Sequence, residues 1–154
     1  VILTAPTLTL SQETAKKGES GQAENSSAPP VKKITFKLQR MSDGVRADGR
    51  WFHTHTYLSS DGQKVSFTYI TFDSDAAAAG EIDRVIHGAS KVLERGLRKN
   101  EEGKTIGERV VALFVTKDPP KAIAKLIRTN DQFYCEVDSE SLQEVLEFER
   151  RPRP

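Results

Sequence analysis

The sequence predicts an α+β protein: an antiparallel sheet of about six strands in the order βββα-βββα, with two helices packed on one face. Three observations lead there. Apolar and polar residues alternate from Val31 onward at the two-residue period of a strand. Asp-Gly steps break that alternation where tight turns belong. Asp73-Ser74-Asp75 and Asp138-Ser139-Glu140 each offer capping side chains just before apolar residues take up three- and four-residue spacing.

The first strand is carried by Ile34, Phe36 and Leu38, which fall on one face between Thr35 and Lys37. Met41 to Arg50, with Asp43-Gly44 and Asp48-Gly49, reads as a loop. Trp51–Ser60 and Lys64–Phe72 are dense in aromatic and β-branched residues and flank Asp61-Gly62, the signal of a hairpin. A helix follows the first capping cluster. Its stripe is Ile82, Val85, Ile86, Ala89, Leu93, Gly96 and Leu97, with Gly88 inside it at a cost of roughly 1 kcal/mol relative to Ala. Thr105–Thr116 is apolar on both faces through Val110–Val115 and reads as a central strand. After the turn at Asp118-Pro119-Pro120 come strands at Lys121–Thr129, whose Ala and Lys also suit helix, and at Gln132–Val137. A second helix bearing Leu142, Val145 and Leu146 ends before Pro152. The two strand-to-helix joints match, which fits either an internal duplication or capping chemistry that any such joint selects.

This reading assigns residues 31–150 to a single domain, 151–154 to a tail and 1–30 to a disordered leader. The leader holds no aromatic residue and is rich in Thr, Ser, Ala, Gly, Gln and Pro, so it buries too little apolar surface to offset chain entropy. Val1-Ile2-Leu3 with Leu8 and Leu10 fits the end of a signal-peptide apolar segment, although no basic region precedes it. A remnant export signal implies a periplasmic or secreted protein; an ordinary terminus leaves it cytoplasmic.

Charge and cysteine content narrow the function. Twenty-three Lys and Arg balance 22 Asp and Glu, for a formal charge of +1, so the field that draws proteins to nucleic acid is missing. No run reaches the roughly 18 apolar residues of a membrane span, so no membrane insertion is expected. The single cysteine, Cys135, closes no intramolecular disulfide, and its apolar row suits a buried, inert thiol. Phosphate loops, dinucleotide fingerprints, His-Glu-x-x-His and Gly-x-Ser-x-Gly are all missing, and no family motif can be attached to particular residues.

One cluster remains. His53 and His55 lie two apart on a strand and share a face with Trp51 and Tyr57; Phe67 and Tyr69 share a face of the next strand. If the helices cover the opposite face, these six side chains form an open aromatic surface for a ligand or partner. The other assignment makes them core and turns Phe52, Thr54, Thr56 and Leu58 outward. His-x-His supplies two imidazoles but needs further ligands, and only His87 and Cys135 remain of that kind, so no metal site is assigned. Glu94-Arg95 and Glu108-Arg109 read as solvated charges or weak pairs. The expectation is therefore a small non-enzymatic binding or interaction domain that holds a protein partner, a second copy of itself or a small apolar ligand. No catalytic residue or cofactor is assigned. The alternative is an enzyme with a shallow histidine-based site, with or without a metal.

Overall fold

A computed structural model describes residues 32–151. The segment read as a leader, on which the export-signal expectation falls, and the tail beyond Arg151 lie outside the described residues. The elements are β1 (Phe36–Val45), β2 (Trp51–Ser59), β3 (Lys64–Thr71), α1 (Asp75–Ile86), β4 (Lys91–Lys99), β5 (Thr105–Val115), β6 (Ala122–Asn130), β7 (Phe133–Ser139) and α2 (Leu142–Arg150). The α+β class and the antiparallel sheet hold, but the sheet has seven strands and the chain runs βββα-ββββα. Across the sheet the order is β1-β2-β3-β7-β6-β5-β4.

The extra strand comes from the second half of the expected first helix. α1 stops at Ile86, and the backbone NH of His87 turns back to the Asp83 and Val85 carbonyls. Gly88 then sits in the turn that leads into β4. Leu93 and Leu97 fit a helical stripe because they are four apart, yet four is also a multiple of two, so the same spacing serves a strand. β5 decides between them: its outer edge would be left without backbone partners, and Lys91–Lys99 pairs along it. The expected loop at Met41–Arg50 is also shorter. β1 continues to Val45, with a register shift between Leu38 and Arg40, because β2 offers it hydrogen bonds over that whole length.

Both helices begin as capping chemistry dictates. Ser74 Oγ accepts from the Ala77 amide at 3.1 Å. At the second joint the cap is Ser141 rather than the Asp138-Ser139-Glu140 cluster, because β7 extends to Ser139; Ser141 Oγ accepts from the Glu144 amide at 3.4 Å. Gly62, at φ +81°, closes the expected hairpin between β2 and β3. Gly107 allows a closer approach still: a Cβ there would lie 2.1 Å from the Thr129 carbonyl oxygen.

The helices lie on opposite faces of the sheet, not on one. α1 buries Ala78 and Ile82 against Val110, Ala112, Ile127 and Tyr134. α2 buries Val145 and Phe148 against Val111, Leu126 and Val137. These sets alternate along β5, β6 and β7, and alternate residues of a strand point to opposite sides. Topology supplies the reason. β3 and β4 run parallel with three strands between them, so the connection must cross one face over β7, β6 and β5, and α1 is that crossover. The face beneath α1 is then occupied, and α2 covers the other. A twofold relating two duplicated halves through the antiparallel β3–β7 pair would put both helices on one face, so the sheet does not carry that symmetry.

Candidate functional site

α2 covers only part of its face, and the uncovered part holds the predicted site residues. Strand register arranges that face in rows. One row runs Asp43, His53, Tyr69, Cys135, Arg128, Arg109 from β1 to β5. The next runs Met41, His55, Phe67, Val137, Leu126, Val111. At one border stand Val45, opposite Trp51, and Phe133, opposite Thr71. α2 lies over the inner ends of these rows, at Val137, Leu126 and Val111.

The predicted six therefore divide into two groups. Tyr57 and Phe67 pack beside Phe148 of α2, with ring centroids 4.9 and 6.2 Å from it, so the expectation of core applies to this pair. Arg151, just after α2, places its guanidinium 3.6 Å from the centroid of Phe148 and 4.5 Å from that of Tyr57, as cations do over a ring's negative face. His53, His55, Tyr69 and Trp51 lie beyond the helix. His53 stacks on Tyr69 with centroids 4.7 Å apart, and His55 stands edge-on to both Tyr69 and Phe67. Trp51 is 61% exposed and is joined on the same side by Met41 at 63%, Val45 at 53% and Phe133 at 54%. Of these, only Trp51 was legible as a site residue; Met41 and Val45 fell in the stretch read as loop.

Two adjoining cavities, of about 370 and 250 Å³, open on this face, and Phe67, Cys135 and Arg128 line both. Arg151 and Glu149 close the first, while Tyr69, Phe133 and Arg98 close the second. Glu149 is held by two forked bonds from Arg109, Nη2 to Oε2 at 2.7 Å and Nε to Oε1 at 3.0 Å, and by Arg128 Nη1 at 3.3 Å. Burial pushes the Glu149 carboxyl upward, but its bonds to Arg109 and the charges of Arg109, Arg128 and Arg98 outweigh this and hold it below the ordinary 4.5. The same bond to Glu149 raises the Arg109 guanidinium. Arg109 also reaches Glu94 at 2.6 Å, and Arg95 pairs with Glu108, so the two Glu-Arg dipeptides bond across the β4–β5 pair.

His53 Nδ1 lies 2.6 Å from Asp43 Oδ1. Tyr69 separates His53 from Cys135 in the row, a distance of two strand spacings of about 4.8 Å each, which is beyond direct proton transfer. Among the described residues no three His, Cys, Asp or Glu side chains come together as ligands. No helix among them is long and apolar enough to cross a membrane.

The α1 side differs in chemistry. Its uncovered strand residues include Thr54, Thr56, Leu58, Ser66 and Thr68, together with Glu136, Asp138 and Lys125. Thr54 and Thr68 hydrogen-bond at 2.9 Å, Tyr134 donates to Glu136 at 2.7 Å, and Lys125 donates to Glu136 at 3.1 Å. Burial, then the nearby Glu136 charge, pushes the Tyr134 hydroxyl well above its ordinary 10.0. A cavity of about 430 Å³ beside α1 is lined by charges of both signs, Arg46, Arg84 and Lys125 with Glu81 and Glu136. Glu81 is already paired with Arg46 and Arg84 at 2.8 and 2.6 Å.

No protein-family model, curated protein or solved structure matches the chain.

Proposed function

We propose that the chain is a binding module without catalytic chemistry, and that it takes a small, apolar, ring-bearing ligand in the adjoining cavities beside α2. The single observation that carries this reading is the half-covered face, where His53, His55, Tyr69 and Trp51 continue the aromatic surface of the core into solvent. Monomeric proteins rarely leave such patches open, and those that do commonly use them. The cavity of about 370 Å³ falls at the lower end of the roughly 300–1,000 Å³ typical of small-ligand sites, and the adjoining one of about 250 Å³ lies just below it. The alternative, a histidine-based enzyme, draws on the Asp43–His53 contact.

The neutral probe N-phenyl-1-naphthylamine tests the proposal. Titrated into the full chain, it binds saturably at one site, and Tyr69→Ala and Phe133→Ala each weaken it about tenfold while the fold persists by circular dichroism. Absence of saturable binding, or binding unchanged in both variants, ends the reading. Sedimentation of the same sample supplies a further check: a dimer that Trp51→Ala dissolves would assign the face to a second copy of the chain instead.

A further inference from the structure

The cavity of about 430 Å³ beside α1 has two ends of opposite construction. At the helix end one buried carboxylate holds two guanidinium groups. Glu81 accepts from Arg46 Nη1 at 2.8 Å and from Arg84 Nη2 and Nε at 2.6 and 2.8 Å, which fixes both arginines at the cavity wall. Arg84 is exposed, and its Nη1 has no hydrogen-bond partner among the described residues. The other carboxylate near Arg46 is Asp48, 3.5 Å from Nη2 and held more closely by Arg50 at 2.9 Å. At the sheet end the roles reverse, and two donors hold one carboxylate. Glu136 accepts from the buried Tyr134 hydroxyl at 2.7 Å on Oε2 and from Lys125 Nζ at 3.1 Å on Oε1, and each oxygen has a further lone pair. Lys125 stands between Glu136 and Asp138, the latter 3.8 Å away, so the balance at this end is negative. Ile70 and Val85 add an aliphatic wall. Partly buried ion pairs seldom stabilise a fold more than apolar packing would, so stability alone does not call for this arrangement.

We propose that this cavity binds a free aliphatic α-amino acid, its carboxylate on Arg46 and Arg84, its ammonium group on Glu136 and its side chain against Ile70 and Val85. The two ends lie close together: the Arg84 guanidinium is raised first by its bond to Glu81 and further by the Glu136 charge. The ligand's own charges must therefore be adjacent, as they are across a single α-carbon. A lone anion would meet the guanidinium groups but oppose Glu136, and a lone cation would do the reverse; a zwitterion satisfies both ends. The volume lies within the range of small-ligand sites. This cavity is on the opposite face of the sheet from those beside α2, so the two sites are tested separately.

Isothermal titration of the full chain with L-leucine, 4-methylpentanoate and 3-methylbutylamine tests this, the last two keeping the side chain and one charge each. Leucine is expected to bind saturably at one site, at least about tenfold more tightly than either half-ligand. Arg84→Gln, at an exposed side chain, and Glu136→Gln are each expected to weaken leucine about tenfold while circular dichroism shows the fold retained. A half-ligand that binds as tightly as leucine overturns the proposal in favour of a simple anion or cation site. Absence of leucine binding overturns it as well, and so does leucine affinity unchanged in either variant that folds. Arg84→Gln keeps the test decisive if Glu136→Gln fails to fold.

Discussion

The two faces of the sheet share the same strands and differ in what they leave uncovered. Beside α1 the open rows carry threonine, serine and partly buried paired charges, with Leu58 as the one large exposed apolar residue on β2 there. Beside α2 they carry tryptophan, tyrosine, histidine and phenylalanine around an arginine. Each helix buries a cluster of similar kind, so folding does not demand the difference. Thr54 and His53, or Thr68 and Tyr69, are neighbours in sequence on the same strand and end on surfaces of opposite character. The aromatic side chains past the end of α2 are the surface on which the proposed binding reading rests.

The largest expected effect checks that both faces have a true core. Phe148→Ala removes a ring that meets Phe36, Tyr57, Phe67 and Arg151, and should cost about 4 kcal/mol in urea unfolding, comparable to Ile82→Ala on the α1 side at about 3 kcal/mol. A cost below about 1 kcal/mol for Phe148→Ala would mean that α2 is not anchored as described. Next comes the buried contact that ties α2 to the β2–β3 hairpin. Ser59 Oγ donates to Glu144 Oε1 at 3.0 Å, and Glu144 Oε2 has no partner among the described residues. Ser59→Ala takes away that donor and should destabilise by about 2 kcal/mol, whereas Thr68→Val on the open α1-side row should stay within about 1 kcal/mol.

Acid titration separates the faces by sign. The folded pKa of Glu149, beside α2, lies below its ordinary 4.5, so between those values the unfolded chain binds the extra proton. Its contribution is complete above 4.5 and is lost as pH falls through the folded value. Asp138, on the α1 side, is raised above 3.8 by burial and then by Glu136, against the opposing charge of Lys125. Its contribution is opposite: ionisation costs the native state as pH rises through the folded value, and acid relieves it. Glu149→Gln should therefore lower stability at pH 7 and flatten the acid loss, while Asp138→Asn should raise stability at pH 7 and steepen it. Thermal melts between pH 3 and 7 check both, and parallel curves would remove the distinction. The smallest effect on stability belongs to Trp51→Ala, expected within about 0.5 kcal/mol because the side chain is 61% exposed. A cost near that of Phe148→Ala would place Trp51 in the core and erase the contrast between covered and uncovered rows.

Much of this was legible in local pattern. Alternation placed Trp51, His53, His55 and Tyr57 on one side of β2, and Asp61-Gly62 joined β2 to β3 so that Phe67 and Tyr69 fell opposite the histidines. Ser74 marked the start of α1. The end of α1 was marked too, by Gly88, but the four-residue spacing of Leu93 and Leu97 satisfied helix and strand equally. Arg128, Cys135 and Phe133 reach the site through pairing between β3, β7 and β6, across more than sixty residues of chain, and nothing local in their segments points to His53 or Tyr69.

The sequence by itself determined which side chains share a face, where the β2–β3 hairpin turns and which joints start helices, because each depends on periodicity or capping within a few residues. Only the tertiary structure decided that β4 is a strand, that the helices take opposite faces, and that α2 ends short of His53 and Tyr69. Those outcomes depend on an unpaired strand edge and on the path of a crossover, and both are set by backbone partners distant in the chain.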